Sequence, residues 1–198
     1  MSPVLIAATL ALTVAAAPQP VTRTQPRWPA GQVIRVSIDL QMAPAEAEPL
    51  VERAMSTWTN AADGRFKLER ATSRNPATMR VRFVRGSGLY GESRPLADDR
   101  TGEIYSADVF ITADVAGDLL DRSIVLYLTA LHEIGHALGL PHNNDFSSIM
   151  YAFRLPGDGE RYFGAYRSRV RFPDDIGKAT ATGLSDADVK TLKTLYLK

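Results

Sequence analysis

The chain has 198 residues, of which 45% are hydrophobic and 23% are charged, and this composition predicts one soluble globular domain with a sizeable core. Its formal net charge of +1 provides no overall field that would attract nucleic acid or an anionic membrane, so we expect no nucleic-acid partner. The absence of cysteine excludes disulfides, thiolate metal sites and cysteine nucleophiles.

Residues 1–17 have the pattern of a secretory signal peptide. An apolar run over residues 4–14 precedes three alanines, the small residues that a signal peptidase requires. The run is too short to span a bilayer comfortably, so stable membrane insertion is not expected. Two features are atypical, because no Lys or Arg precedes the run and Pro18 follows the alanines. The pattern favours export to the periplasm or the extracellular space over a tail that stays attached.

The residues after this segment predict a linker, a strand and a helix. Residues 18–29 contain four prolines and predict a stiff linker, which leaves residues 30–198 for the folded domain. Apolar and polar residues then alternate over 34–40, the period of a half-buried strand. Apolar residues at helical spacing predict a helix that begins near Glu46, so that Pro49 lies in the first turn, and that ends within 60–64.

The next part of the chain predicts further strands. Residues 66–68 are compatible with a short strand, and residues 79–83 alternate more clearly between apolar side chains and arginine. The Gly-, Pro- and Asp-rich stretch 86–102 predicts a loop. Residues 104–112 predict the last strand.

A second long helix is predicted to begin at Asp121 or Ser123 and to carry a pair of histidines. His132 and His136 are four residues apart, so their imidazoles project from one helix face one turn apart, and Glu133 lies beside them. This geometry suits two ligands of one metal ion. The alternatives are that each histidine is an ordinary core or surface residue and that Glu133 is a solvated charge.

The residues that follow the helix supply a third histidine. Gly139 is free to adopt a positive φ and Pro141 blocks further helix, so the chain can turn and bring His142 back to the same point. A catalytic zinc site requires three protein ligands and one open position for water. Because the required Gly and the third His both follow HExxH at fixed spacing, the metal site is strongly favoured over coincidence.

The runs HEIGHALGLPH and SSIMY resemble the zinc motif and the Met-turn of the metzincin metallopeptidases, and within that clan the matrixins. Met150 falls where the family has a methionine beneath the metal, and a core methionine that fills a gap is physically the same role. Residues 184–197 resemble the family's closing helix. The resemblance implies an α+β fold, a zincin-like twisted mixed β-sheet with an N-terminal helix, an active-site helix and a C-terminal helix.

The resemblance also implies a zinc-dependent endopeptidase that acts on protein or peptide substrates, and we expect a monomer. His132, His136 and His142 would hold one catalytic zinc. Glu133 would take the proton of the zinc-activated water as it attacks the peptide bond. Two alternatives stay open, a zinc-stabilised peptide-binding module without turnover and a peptidase dedicated to one partner. Glu133 favours turnover, since a binding module has no need of a base there.

Two parts of the sequence are expected to bind substrate if the family's architecture holds. The strand 104–112 would be a sheet edge to which an extended substrate adds. Tyr151, Ala152 and Phe153 would wall the pocket for the residue after the cut bond, and Leu131 would also contact substrate. The stretch 154–172 is rich in arginine and aromatic residues and predicts a solvated surface loop, with recognition of acidic substrates as the alternative.

The sequence departs from the family in several places. No histidine is left for a second, structural zinc, and no cysteine is present to latch a propeptide onto the metal. Ala152 stands where astacins and serralysins have a tyrosine ligand. Ala187 replaces one of two paired aspartates of the last helix while Asp188 remains, so the family's N-terminal activation bridge is not expected. Calcium is possible but unassigned, and its candidate ligands are Asp98, Asp99, Asp108 and Asp114.

Overall fold

The computed structural model describes residues 25–86 and 90–197. The predicted signal peptide and residues 18–24 of the predicted linker lie outside these ranges. Within them, no helix has both the length and the apolar character needed to cross a membrane. The helices and strands, in chain order, are β1 (Val33–Asp39), α1 (Ala47–Ala62), β2 (Lys67–Arg70), β3 (Met79–Val84), β4 (Gly91–Ala97), β5 (Ile104–Thr112), α2 (Leu119–Ala137), α3 (Asp158–Arg167), a 3-10 turn (Pro173–Asp175) and α4 (Asp186–Leu195).

The five strands form one mixed sheet in the order β2-β1-β3-β5-β4. The first four in this order pair in parallel, and β4 pairs antiparallel with β5 and ends the sheet. The prediction of an α+β fold with a mixed sheet and with N-terminal, active-site and C-terminal helices is therefore confirmed.

The predicted position of the sheet edge was wrong. The strand 104–112 is present as β5, but it lies between β3 and β4. The edge next to it is β4, which falls inside the stretch 86–102 that was predicted as a loop. The half-buried residues of β4 are Gly91, Ser93, Pro95 and Ala97, none of which is a large apolar residue, so the strand lacks the apolar alternation that identifies the others. Proline is tolerated there because an edge strand has one side free of ladder hydrogen bonds.

The core lies between one face of the sheet and the helices α1 and α2. Alternate residues of β3 and β5, such as Val81 and Val109, are fully buried on this face. The opposite face carries charged side chains that pair across strands, and Arg80 Nε lies 2.7 Å from Asp108 Oδ1. α2 packs against α1, β5 and β4 at once, which places its histidine-bearing end beside the sheet edge.

Three element boundaries differ from the prediction for identifiable reasons. Asp118, rather than Asp121 or Ser123, caps α2 by accepting a hydrogen bond from the amide of Asp121. α4 begins two residues into the predicted segment, after a capping box between Ser185 and Asp188. Part of the predicted loop 154–172 is the helix α3, which buries Asp158, Tyr162 and Tyr166 at a spacing of four residues.

Candidate metal centre and active-site cleft

The three histidines converge at the C-terminal end of α2. His132 and His136 project from the last turns of the helix, and Gly139 then adopts a φ of 96°, the positive value that the sequence predicts. The turn brings His142 back against them. The three Nε2 atoms lie 3.1 Å apart for His132 and His136, 3.0 Å for His136 and His142, and 3.2 Å for His132 and His142.

Backbone carbonyls orient two of the rings. His132 Nδ1 lies 2.5 Å from the carbonyl oxygen of Ile149, and His136 Nδ1 lies 2.8 Å from that of Leu140. A carbonyl oxygen can only accept, so each Nδ1 carries the hydrogen and each Nε2 has a free lone pair. These lone pairs point at the same small region as His142 Nε2, which is a donor set for a cation.

The site fits a zinc ion in both distance and protonation. Nitrogens at about 2.0–2.1 Å from a tetrahedral zinc would be roughly 3.3–3.4 Å apart, close to the separations found. Burial lowers the pKa of His132 to about 3, with a further contribution from His136. Burial also lowers the pKa of His136 and His142, and the charge of Arg154 adds to the effect on His142. All three imidazoles are therefore neutral at pH 7, as metal ligands must be.

Glu133 lies beside the histidines and is almost completely buried. Its Oε2 has no hydrogen-bond partner among the described residues. Burial, and to a lesser extent the charge of Glu92, raise the pKa of Glu133 to about 8. A buried carboxylate without a partner is unfavourable, and a cation with its water in the adjacent site would stabilise the ionised form. This orphaned oxygen is a second observation that fits a metal and a water here.

The edge strand β4 lies directly over Glu133. A Cβ atom built on Gly91 would lie 2.6 Å from Glu133 Cγ and 2.9 Å from its Oε1. Only a residue without a side chain allows this approach. The sheet edge and the glutamate are therefore in contact at the site.

Three side chains satisfy the carbonyls at the end of α2. Trp28 Nε1 donates to Ala137 O, Tyr196 Oη donates to Leu138 O, and Gln25 Nε2 donates to Gly139 O, each at 2.8 Å. The last carbonyls of a helix have no partner within it, so they need such donors when they are buried. Segments from both ends of the described chain thus hold the turn between His136 and His142.

The predicted Met-turn packs beneath the histidine helix. Met150 is buried, and its Sδ would lie 2.6 Å from a Cβ atom at Gly135, so the sulfur sits directly against the α2 backbone. The buried carboxylate of Asp188 accepts hydrogen bonds from the Ile149 amide at 3.0 Å and from Ser148 Oγ. α4 is thereby tied to the turn whose carbonyl orients His132.

A cleft of about 770 Å³ opens onto the three histidines and Glu133. We call it the active-site cleft. Its walls come from the segment before β1, β4 with the residue before it, α2 with the turn after it, the loop 149–154 and α3. Besides the histidines and Glu133, the residues that line it are Gln25, Pro26, Tyr90, Gly91, Glu92, Ser93, Pro95, Leu128, Thr129, Gly139, Leu140, Ile149, Ala152, Phe153, Arg154, Tyr162 and Phe163.

Two of the four predicted substrate-binding residues line the cleft and two do not. Ala152 and Phe153 are in its wall. Tyr151 instead supports the wall, because its hydroxyl donates to Asp158 Oδ2 at 3.0 Å and its ring packs on Phe153. Leu131 is fully buried in the core.

Helix geometry explains why Leu131 faces the core and not the cleft. Residues three and four positions before His132 share its face of α2, whereas the residue immediately before it is turned away by about 100°. Leu128 and Thr129 therefore line the cleft, and the helical period could have identified them. Tyr162, Phe163 and Gly91 could not be found this way, since their helix and strand were not predicted.

The candidate calcium ligands are mostly engaged with other groups. Asp98 Oδ1 accepts from the amides of Arg100 and Thr101 at 2.9 and 2.8 Å. Asp108 pairs with Arg80, and Asp114 Oδ2 accepts from the Gly86 amide at 3.0 Å. Calcium stays unassigned.

Comparison with known proteins gives consistent matches. The family model described as Matrixin matches residues 32–161. An interstitial collagenase of Oryctolagus cuniculus is 28% identical over 121 residues, which cover 58% of this chain and 25% of that protein. An interstitial collagenase of Equus caballus is 30% identical over 113 residues, 54% of this chain and 24% of that protein. A probable matrix metalloproteinase 095L of Invertebrate iridescent virus 3 is 32% identical over 114 residues, 51% of this chain and 31% of that protein. The matched regions thus span 24% to 31% of the length of these relatives.

Proposed function

Because the chain belongs to the matrixin family, we propose that it is a zinc-dependent endopeptidase whose metal is held by His132, His136 and His142. Glu133 is its general base. The observation that carries this proposal is the convergence of three Nε2 atoms within 3.2 Å of one another, beside a buried glutamate oxygen that has no partner among the described residues. The active-site cleft gives a polypeptide access to the three histidines and Glu133.

The residues of the chain divide the chemistry between them. When bound, zinc supplies Lewis acidity, which lowers the pKa of a water and polarises a peptide carbonyl. Glu133 Oε2 accepts a proton from the attacking water and then delivers it to the leaving nitrogen. The apolar cleft wall around Glu133 excludes bulk water, which strengthens the electrostatic interactions at this carboxylate. The carbonyls of Ile149 and Leu140 keep the rings of His132 and His136 in the ligand tautomer.

The sheet edge and the loop after the Met-turn position the substrate. An extended peptide adds to the outer side of β4, and Gly91 keeps that strand close enough to Glu133 for the peptide bond to reach the base. Ala152 and Phe153, together with Tyr162 of α3, wall the pocket for the residue after the cut bond. The specific substrate is a protein or peptide that is extended at the cut site.

The domain organisation belongs to the same proposal. Residues 1–17 direct export and are removed, residues 18–29 form a linker, and residues 30–198 form the catalytic domain, which acts outside the cytoplasm as a monomer. Protein recovered outside the producing cells should begin between residues 16 and 29. An intact Met1 on that protein would contradict export by a cleaved signal.

The proposed activity is tested by cleavage of an unstructured protein, such as reduced casein, with and without a zinc chelator. We expect cleavage that the chelator abolishes and added zinc restores. Glu133→Ala should keep its zinc and lose about a hundredfold to ten-thousandfold in kcat, the usual contribution of a positioned base. Equal turnover by the purified variant would refute the role of Glu133. Tight peptide binding without any cleavage by the unaltered chain would instead support a non-catalytic binding module.

A further inference from the structure

The side chain of Arg154 has no acidic partner, unlike those of two arginines that follow it in the chain. Arg161 lies 3.3 Å from Asp158, and Arg167 lies 3.0 Å from Asp121. For the Arg154 guanidinium, the described residues provide neither a carboxylate within ion-pair distance nor a hydrogen bond. Its charge is available to a ligand.

The backbone of Arg154 is nevertheless held in place. Its amide and that of Leu155 donate to Asp158 Oδ2 at 3.2 and 2.9 Å, and Tyr151 Oη donates to the same oxygen. Asp158 is almost completely buried at the start of α3. One buried carboxylate thus fixes the loop that carries Arg154, so the guanidinium extends from a defined point of the wall.

Arg154 also supplies the only lysine or arginine side chain among the described residues that line the active-site cleft. Of the two glutamates in that lining, Glu92 is paired with Arg94 at 2.7 and 2.8 Å, and Glu133 is buried beside the metal site. Ser93 and Thr129 also line the cleft, but their hydroxyl oxygens are buried and have no partner among the described residues. The cleft therefore offers one unpaired cation, the Arg154 guanidinium, to a ligand.

We propose that Arg154 selects substrates that carry a carboxylate directly after the cut bond. A guanidinium recognises a carboxylate through two parallel hydrogen bonds, and the aromatic wall of Phe153 and Phe163 reduces the screening of that pair by water. The carboxylate is either an acidic side chain or the free C-terminus of a short product. This inference rests on the proposed peptidase function and adds its substrate class.

The test uses zinc-loaded full-length chain and matched fluorogenic peptides. One series places Glu or Gln at each of three positions on either side of the cut bond, and a second compares free with amidated C-termini. We expect kcat/KM to favour Glu over Gln about tenfold at a position after the cut bond, as for one charge-assisted hydrogen bond. A preference confined to free C-termini would assign the terminal carboxylate as the ligand.

The dependence on Arg154 is tested with matched variants. Arg154→Gln should abolish the preference, and Arg154→Glu should reverse it in favour of Lys. Arg171→Gln is the control, since this exposed arginine lies outside the cleft lining, and it should leave the preference unchanged. Cleavage with no preference for Glu and none for a free C-terminus, or an equal preference in Arg154→Gln, overturns the inference.

A binding measurement separates failure of this inference from failure of the proposed function. Glu133→Gln should bind the same peptides without cutting them, so fluorescence anisotropy gives their Kd directly. Glu peptides should bind about tenfold more tightly than Gln peptides, and adding Arg154→Gln should remove the difference. If the unaltered chain cuts nothing but this difference is present, the peptidase proposal fails and Arg154 still recognises carboxylates. If neither Glu peptides nor peptides with a free C-terminus bind more tightly than their Gln and amidated counterparts, Arg154 has no such role.

Discussion

Two of the three histidine rings are oriented by main-chain carbonyls of the chain that follows α2. Ile149 O and Leu140 O accept from His132 and His136. Carboxylates often fill this role at metal sites, and a carbonyl brings no additional charge. The orientation of the ligands therefore depends on the path of the chain over residues 140–149 rather than on any one side chain.

At the scale of single residues, His142→Ala should weaken zinc binding as well as activity. His142 is the least buried of the three and reaches the site only through the turn at Gly139. Its removal leaves two ligands where a catalytic zinc requires three. Since loss of an outer-shell partner alone costs roughly 10–100-fold in affinity, we expect a loss above about a hundredfold, measured by competition with a chromogenic chelator.

Glu133→Ala is the control for that measurement, because it changes the same helix without removing a ligand nitrogen. Its affinity for zinc should remain within about a factor of ten of the unaltered chain, the lower end of an outer-shell effect. Unchanged zinc affinity in His142→Ala would show that His142 is not a ligand.

At the scale of elements, the turn after α2 leaves no room for a side chain at Gly139. Gly139 has a positive φ, and a Cβ atom there would lie 2.0 Å from the carbonyl oxygen of Pro26. Gly139→Ala should reduce the free energy of unfolding by about 2–5 kcal/mol, the sum of left-handed strain and a backbone clash, and should also weaken zinc binding. Urea unfolding of the zinc-free protein measures the first effect.

Gly31→Ala separates the two causes. Gly31 also has a positive φ, of 77°, but nothing lies within 4 Å of its Cβ position. It should lose only about 1–2 kcal/mol, the strain contribution, and should bind zinc normally. Equal losses in both variants would mean that the contact with Pro26 does not shape the turn.

The sequence predicted the elements that have a regular hydrophobic period or a family motif and missed β4 and α3, which have neither. β5 has the predicted limits, and its buried Ala107 and Val109 alternate with the polar Ser106 and Asp108. β4 contains Gly91 and Pro95 and gives no such signal. α3 contains two glycines, each of which disfavours a helix by about 1 kcal/mol, and it forms because Tyr162 and Tyr166 are buried by the rest of the fold.

In the candidate site, too, the part encoded by a local pattern was predicted and the rest was not. The spacing of the three histidines, Glu133 and Gly139 is local, so one helix and one turn suffice to bring them together, and the sequence predicted the group. The cleft walls require segments far apart in the chain. Gln25, Gly91 and Tyr162 meet there only because the sheet order and the position of α3 place them together, and no local pattern encodes that.

At the scale of the whole molecule, both ends of the described chain serve the metal site. Trp28 and Gln25 support the end of α2 from the N-terminal side, and Tyr196 supports it from the C-terminal side. Asp188 of α4 holds the Met-turn beneath. The site is consequently coupled to the closure of the entire domain, and unfolding of either end should release the metal.

The last prediction is that the folded protein holds one tightly bound zinc and no second one. The sequence has three histidines and no cysteine, and tight zinc sites are built mainly from imidazole and thiolate. In the described part of the chain, the three histidines are the one group whose donor atoms could share an ion. Most of the candidate aspartates for another site, such as Asp98 and Asp108, are engaged with backbone amides or with arginine. Elemental analysis after exhaustive dialysis should therefore give about one zinc per chain, and none in a chelator-treated control. A second equivalent that survives dialysis would require ligands from two chains, because no imidazole within one chain is left to bind it.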